Sequence, residues 1–423
     1  MKIFTCSFAI VLLLMSCGPD KPKSGRSSAI APKKEAAPLE KENIEADTSL
    51  NEADSYYDRE RKLVEAEIDN SRAVREEKTV RISGRIRGAA GLSITLDRLG
   101  GEERVTPLKT QVINEDGDFD LETTTNQPQI YNLRTVKGNM LVFADGGNYV
   151  VDADIDKLSE YTVTNAPESY KLREFYLILE EFNKRYDKIR KREEKYTQLK
   201  KAWKVSRLLD SMPFYNEQIG AQKAAAIINF ADQNKNSILA ALAIERLDYM
   251  KHTEYIIETY ERLKEQYPYS SYLKNIGRKL VRYRPLAIGQ PAPEIVLPNV
   301  DGENVKLSSF KGKHVLIYFS SNYMQNTIDE AKEIIPVYYQ YNSKNFEIFN
   351  VAIDESTDDW NAYLQATEAP WITVSDVLGQ NSTVFDHYLA PDFPMTYLID
   401  DKGIIVKKYL DAEDLKAELK ARL

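Results

Sequence analysis

Two side chains that could carry chemistry, Met324 and Thr327, lie three residues apart in the stretch YFSSNYMQNT (Tyr318–Thr327). An apolar run precedes this stretch and a helical pattern follows it. Two cysteines with this spacing at the start of a helix would exchange disulfides, because a helix N-terminus favours the thiolate. The Met324 thioether has no ionisable proton and forms no disulfide, and the Thr327 hydroxyl needs an adjacent base and carries no redox equivalents. The stretch therefore has no side chain that could do thiol chemistry.

Both cysteines of the sequence lie near its N-terminus, at Cys6 and Cys17. Lys2 and the apolar run Phe8–Met15 have the pattern of a secretory signal, which is too short to span a bilayer. We therefore expect Cys6 to be removed with the signal.

The end of this signal resembles a bacterial lipobox. Leu14 lies three places before Cys17, and the small Ser16 occupies the position before it. The resemblance implies cleavage before Cys17 and lipid on its sulfur, which would anchor the protein to a membrane. An ordinary signal peptide with an incidental cysteine is the alternative. Gly18, in place of an aspartate, favours the outer membrane, and the lack of a following acidic cluster favours the periplasmic side.

Charge and motifs exclude several function classes. The net charge is −8 and the pI is about 5.3, so the sequence predicts no nucleic-acid partner. No phosphate-binding, dinucleotide-binding or zinc-protease motif appears, and we expect neither a cofactor nor a metal site. The acidic NEDGDFD (Asn114–Asp120) could suggest calcium, but it lacks the remaining ligands of an EF-hand loop and reads as a hairpin turn at Gly117.

The pattern of the chain predicts a multidomain α+β protein. We expect an N-terminal antiparallel β-sandwich, a helical middle segment and a C-terminal α/β domain. The predicted boundaries are 1–16 for the lipoprotein signal, 17–77 for a lipidated flexible tether with a charged stretch that could form a helix, 78–165 for the β-sandwich, 166–285 for the helical segment and 286–423 for the α/β domain.

Short alternating runs separated by Gly and Asp-Gly carry the β prediction, from VRISGRIRG at Val80 to YTVTNA at Tyr161. This pattern resembles a β-domain of unknown function that precedes thioredoxin-like domains in envelope lipoproteins. Beyond Pro167, apolar residues recur at helical spacing up to about Tyr283, with a break near Asn234–Asn236. VLIYFSS and FEIFNVAID then read as central strands that are covered on both faces.

The last third of the chain resembles the redoxin family, which comprises thioredoxin-like thiol-disulfide oxidoreductases of the TlpA/ResA kind and the related AhpC/TSA peroxiredoxins. The resemblance rests on IGQPAPEIVLPNVDGENVKLSSFKGKHVLIYF, on APW at Ala369–Trp371 and on FPMTYLIDDKGIIV. It implies a thioredoxin-like fold with two cysteines after the first central strand. In that register Met324 falls on the nucleophilic cysteine and Thr327 on the resolving one, so the catalytic pair is missing.

Phe393-Pro394 resembles the cis-proline loop of the family, whose backbone binds extended substrate peptides. The resemblance implies that this loop faces the stretch described above. We expect a partner-binding groove, unless Pro394 serves folding alone. Its expected residues are Asn322, Tyr323, Met324, Phe393 and Pro394.

The sequence thus favours a lipid-anchored envelope protein that binds or scaffolds other envelope proteins without catalysis. One alternative is a redoxin that retains thiol-disulfide or peroxidase activity with the help of a partner's cysteines. Another is a carbohydrate- or ligand-binding lipoprotein that uses its β-domain, which only the fold class supports.

Overall fold

A computed structural model describes residues 76–100, 105–198, 202–268, 270–390 and 394–423, without the side chains of 193 and 202–214. The predicted signal, the predicted lipidation site Cys17, most of the predicted tether and Phe393 lie outside these residues. Within them, the predicted fold class is confirmed: strand-rich sheets, then helices, then an α/β domain.

The first domain is a sandwich of two four-stranded sheets with orders β4-β1-β7-β8 and β3-β2-β5-β6. Its strands are β1 (Lys78–Arg87), β2 (Ser93–Leu99), β3 (Val105–Val112), β4 (Asp118–Thr125), β5 (Gln129–Thr135), β6 (Gly138–Ala144), β7 (Gly147–Asp154) and β8 (Thr162–Thr164). A turn forms at Gly117 as predicted, since its N–H donates to Asn114 O at 3.0 Å and its φ is +83°. The prediction of a hairpin there was wrong, because β3 pairs with β2 and β4 pairs with β1, in different sheets.

One strand pair departs from the predicted antiparallel pattern. β1 and β7 run parallel, because the chain between them passes through the second sheet instead of through a hairpin. Gly84 of β1 has a φ of +156°, and a Cβ at this position would lie 1.8 Å from Val151 O of β7. The glycine of the SGRI sequence therefore allows this close approach of two backbones.

The helical segment packs on the second sheet. It comprises α1 (Pro167–Gln198), α2 (Ala202–Gln233), α3 (Ile238–Ile244), α4 (Thr253–Gln266) and α5 (Ser271–Tyr283). The predicted break after α2 is confirmed at Asn234–Asn236. Ile130 of β5 joins the helical core, and the Tyr272 hydroxyl donates to Leu99 O at 2.6 Å. Among the helices described, none combines the length and apolarity that a membrane span requires.

The C-terminal domain has a five-stranded sheet of order β13-β12-β11-β14-β15, preceded by a small hairpin. Its strands are β9 (Val296–Pro298), β10 (Asn304–Lys306), β11 (His314–Ser320), β12 (Phe346–Ala352), β13 (Ile372–Val374), β14 (Met395–Ile399) and β15 (Ile405–Lys408). Its helices are α6 (Gln325–Tyr341), α7 (Thr357–Thr367), α8 (Thr383–Tyr388) and α9 (Ala412–Arg422). The central β11 pairs in parallel with β12 and antiparallel with β14.

A buried lysine joins the helical segment to this domain. The side chain of Lys408, at the end of β15, is 4% exposed, and its Nζ donates to Met250 O at 3.0 Å and to Thr253 Oγ1 at 3.1 Å. Glu254 Oε1 lies 3.2 Å from the same nitrogen. Since Met250 also belongs to the apolar core of the C-terminal domain, the two parts share packing as well as hydrogen bonds.

Candidate functional site

The stretch Tyr318–Thr327 forms the junction between β11 and α6. Met324 is the N-cap residue of α6, with extended backbone angles (φ −113°, ψ 97°) and no capping hydrogen bond from its side chain. Its side chain is 45% exposed. Met324 thus lies where a helix N-terminus would activate a cysteine, but it presents a thioether to solvent.

Thr327 is fully buried and holds the junction together. Its hydroxyl shares its hydrogen between Ser321 O and Met324 O, both at 2.8 Å, and accepts from Ser321 N at 3.4 Å. Its carbonyl accepts a 2.7 Å hydrogen bond from the Tyr318 hydroxyl. Thr327 is therefore a structural residue, and its hydroxyl is committed to the backbone.

Asp354, just beyond β12, anchors the junction from the other side. Its Oδ1 accepts from Ser321 Oγ at 3.0 Å and from Asn322 N at 2.8 Å. The side chain is fully buried, and Oδ2 has no hydrogen-bond partner among the described residues. Burial raises the pKa of this carboxyl, against the lowering effect of the two hydrogen bonds. The loop 321–324 is thus fixed at both ends.

Tyr323 is 61% exposed, yet its hydroxyl is held. It donates to Asp359 Oδ2 at 2.6 Å, in the first turn of α7. The hydrogen bond to Asp359 raises the pKa of Tyr323 to about 12. The pKa of Asp359 is lowered, first by the Ser356 hydroxyl and then by Tyr323. The aromatic ring is therefore presented to solvent in a fixed position.

The predicted groove is brought together in part. Asn322, Tyr323 and Met324 are adjacent in the loop, and Pro394 directly precedes β14. Phe319 of β11 pairs with Met395 of β14. Pro394 therefore lies at the same end of the sheet as the loop that leaves β11. Phe393, and with it the peptide bond before Pro394, lies outside the described residues.

Sequence reasoning missed Glu330, one turn after Thr327 on the same side of α6. It is half-buried, and its Oε2 is buried without a hydrogen-bond partner among the described residues. Burial first, then Asp411 and Glu333, raises the pKa of Glu330 to about 7. The sequence does carry a signal for this. Glu330 is three residues after Thr327 and next to Ala331 and Ile334, which places it beside the buried face of α6.

The site as described has no group for thiol exchange. The sequence has cysteines only at positions 6 and 17, outside the described residues. Among the residues that the structure describes, no cluster of three His, Cys, Asp or Glu side chains could hold a metal ion. What the site offers is a fixed loop that carries one exposed aromatic ring and one exposed thioether.

Comparison with known proteins finds similarity over the domain that holds this site. Residues 288–408 match the AhpC/TSA family. Thiol-disulfide oxidoreductase ResA of Bacillus subtilis is 29% identical over 119 residues, which are 28% of this chain and 65% of that protein. ResA of Bacillus cereus is 24% identical over 138 residues, 33% of this chain and 78% of that protein.

Solved structures match the same third of the chain. The thioredoxin domain of a thiol-disulfide oxidoreductase from Bacteroides vulgatus is 29% identical and covers 32% of this chain and 97% of its own, with a TM-score of 0.31. A C-terminal domain of a putative thiol-disulfide oxidoreductase from Bacteroides thetaiotaomicron is 28% identical and covers 32% of this chain and 95% of its own, also with a TM-score of 0.31.

Proposed function

We propose that this chain, whose C-terminal third is a thioredoxin-like redoxin domain, binds a partner protein through loop 321–324 and does no cysteine chemistry there. One observation carries the proposal: the helix N-terminus at the end of β11 presents an exposed Met324, while Thr327 is buried as a backbone anchor. The position that would attack a disulfide thus has no thiol, and the position that would resolve it serves the fold.

The loop has the properties of a prepared contact surface. Its backbone is bound to Asp354 and Thr327, so little conformational freedom remains to be lost when a partner binds. Tyr323 adds a ring held by Asp359, and Met324 adds a flexible, polarisable side chain that adapts to apolar surfaces. Tyrosine is enriched among residues that dominate binding energy.

The acidic groups around the loop favour one kind of partner. Asp354, Glu355 and Asp359 all act electrostatically on the Tyr323 hydroxyl. A partner segment that combines apolar side chains with Lys or Arg would complement both the exposed loop and this charge. We therefore propose a basic, partly apolar segment of another envelope protein as the ligand.

Photo-crosslinking tests the contact. p-Benzoylphenylalanine in place of Tyr323 should yield a discrete adduct in cells, and the same probe at Tyr339, which is 62% exposed on α6, should not. Adding Met324→Lys to the first variant should lower the adduct yield about tenfold, because a lysine disrupts an apolar contact and repels a basic partner segment. Adding Met324→Leu should preserve the yield. Equal adducts from positions 323 and 339, or an adduct that Met324→Lys leaves unchanged, would contradict the proposal.

The membrane anchor is a further part of the proposal. The lipobox-like sequence before Cys17 supports lipid attachment in the outer membrane, with the folded domains on the periplasmic side. Cys17→Ser should abolish incorporation of a labelled fatty acid and release the chain into the soluble fraction, whereas Cys6→Ser should change neither. Acyl labelling that persists in Cys17→Ser would rule out this anchor.

The family match favours a second candidate, a redoxin that acts together with a partner's cysteines. Insulin reduction and peroxide consumption by the purified chain, with and without the crosslinked partner, separate the two functions. We expect no turnover in either case. Turnover that requires the partner, and that Met324→Lys abolishes, would support the second candidate.

A further inference from the structure

Met324 differs from the other methionines that the structure describes. Its side chain is 45% exposed, whereas Met140 and Met395 are fully buried and Met250 is 6% exposed. The sequence has seven methionines, and the side chains of Met1, Met15 and Met212 lie outside the described part of the structure. Within that part, an oxidant in solution therefore reaches one thioether much more readily than the others.

The backbone at Met324 is fixed while its side chain is presented. Its N–H donates to Ser321 O at 3.2 Å, and its carbonyl accepts from Thr327 N at 2.9 Å and from the Thr327 hydroxyl at 2.8 Å. The thioether makes no capping bond to the helix. Oxidation of the sulfur would therefore change the chemistry of the surface without breaking any of these three hydrogen bonds.

We infer that Met324 is a site of selective S-oxidation and that its oxidation weakens the partner contact of loop 321–324. The oxidant class is hypochlorous acid. The sulfur lone pair takes Cl⁺ from HOCl, hydroxide leaves, and water then displaces chloride from the chlorosulfonium. The net change is R₂S + HOCl → R₂SO + H⁺ + Cl⁻: sulfur loses two electrons and chlorine gains them. The regulatory half of this inference rests on the proposed function.

The expected effect follows from the polarity of the product. A sulfoxide converts a flexible apolar side chain into a polar one, which disfavours an apolar interface. At the N-cap of α6 the new oxygen adds a hydrogen-bond acceptor at the positive end of the helix dipole, where acceptors are favourable. The folded domain should therefore tolerate the oxidation that weakens its partner contact.

Mass spectrometry of the full chain tests the selectivity. After treatment with less than one equivalent of hypochlorous acid, the Met324 peptide should be oxidised about tenfold faster than the peptides of Met140, Met250 and Met395. In denaturant these rates should converge, because burial causes the difference. Equal rates in the folded chain, or a drop in melting temperature after oxidation at Met324 alone, would overturn the inference.

The p-benzoylphenylalanine variant at position 323 tests the control step, which is the weakening of the partner contact by oxidation of Met324. Prior oxidation should lower adduct yield several-fold, Met324→Gln should lower it in the absence of oxidant, and Met324→Leu should make the yield insensitive to oxidant. Equal adducts before and after oxidation of Met324 would overturn the control step and leave the proposed function intact. If no form gives an adduct, the proposed function and the control step both fail, whereas the oxidation site stands or falls on the mass spectrometry.

Discussion

The Tyr323 hydroxyl donates a 2.6 Å hydrogen bond to Asp359 Oδ2 and so links the loop after β11 to the first turn of α7. Ser356, the N-cap of α7, also bonds Asp359 through its hydroxyl. The exposed ring is thus held by a helix that follows the neighbouring strand. This connection explains how a tyrosine that is 61% exposed can keep a defined position.

Tyr323→Phe should loosen the loop while keeping its apolar surface. The ring remains, but the bond to Asp359 is lost, and hydrogen exchange of the amides at 322 and 323 should accelerate several-fold. The melting temperature should change little, because the lost bond lies at the surface. Tyr339→Phe, at a tyrosine of matched exposure, should leave exchange in the loop unchanged. Unaltered exchange in Tyr323→Phe would show that Asp354 and Thr327 suffice to fix the loop.

Thr327→Val should destabilise the C-terminal domain by about 1–3 kcal/mol, because it leaves the buried backbone groups bonded to the hydroxyl without that partner. Thr327→Ser retains the hydroxyl and should therefore lose less stability. Urea unfolding of both variants measures the difference. If Thr327→Val and Thr327→Ser lower the free energy of unfolding equally, the hydroxyl bonds to Ser321 and Met324 contribute nothing to stability. Thr327 would then act by packing alone.

A double substitution to cysteine tests the register with the redoxin family. In a background with serine at positions 6 and 17, Met324→Cys with Thr327→Cys should form a disulfide and reduce insulin. The thiol pKa at position 324 should fall below about 8.5, because α6 begins there. Absorbance of the thiolate against pH measures it. Met324→Cys alone should show the lowered pKa without insulin turnover, and an ordinary thiol pKa in both variants would place the register elsewhere.

The pKa of Glu330, raised to about 7, predicts a pH dependence of stability. The folded state holds the Glu330 proton more tightly than the unfolded state. The stabilisation is therefore complete below the unfolded pKa near 4.5 and is lost as the pH rises through about 7. We expect a loss of roughly 2–3 kcal/mol between these limits.

Glu330→Gln should flatten this dependence in unfolding experiments between pH 5 and pH 8, since an amide does not ionise. Glu333→Gln replaces an exposed carboxylate of the same helix and should keep the slope, displaced slightly to lower pH. A wild-type slope that survives in Glu330→Gln would assign the dependence to another group.

Lys408→Met should weaken the connection between the helical segment and the C-terminal domain. It removes the donor to Thr253 Oγ1 and one of the two donors to Met250 O, at a cost of about 1–3 kcal/mol. The thermal unfolding transition should then broaden or split into two. Proteolysis between residues 284 and 294 should accelerate. Lys407→Met, which removes a surface pair with Glu418, should have little effect. A single sharp transition at the wild-type temperature in Lys408→Met would show that apolar packing alone couples the parts.

Local patterns in the sequence predicted most of the elements that position the site. The apolar runs gave β11 and β12 and the helical spacing gave α6, because these signals depend on neighbours in sequence. The parallel pairing of β1 with β7 was missed, since it depends on which sheet each strand joins. Thr327 was recognised as a degenerate catalytic position, but its buried bonds to Ser321 and Met324 depend on the fold of the turn.

The remaining features of the site depend on contacts between distant residues. Asp354 and Asp359 lie more than thirty positions from the residues they hold, and no local spacing pairs them. Glu330 lies in an amphipathic helix, where a carboxylate is usually exposed. Only packing against the sheet and α9 shows that one of its oxygens is buried without a partner.

The role of Thr327 as a backbone anchor also limits the evolutionary routes open to this domain. A cysteine at position 327 is a weak donor and leaves Ser321 and Met324 poorly bonded, so this step alone lowers stability and yields no activity. A cysteine at position 324 alone gives a reactive thiol without a resolving partner. Either order of mutation therefore passes through a chain with a single cysteine at this site. The resolving cysteine is thus the step with a cost in stability, and that cost is set by the hydrogen bonds of a single threonine.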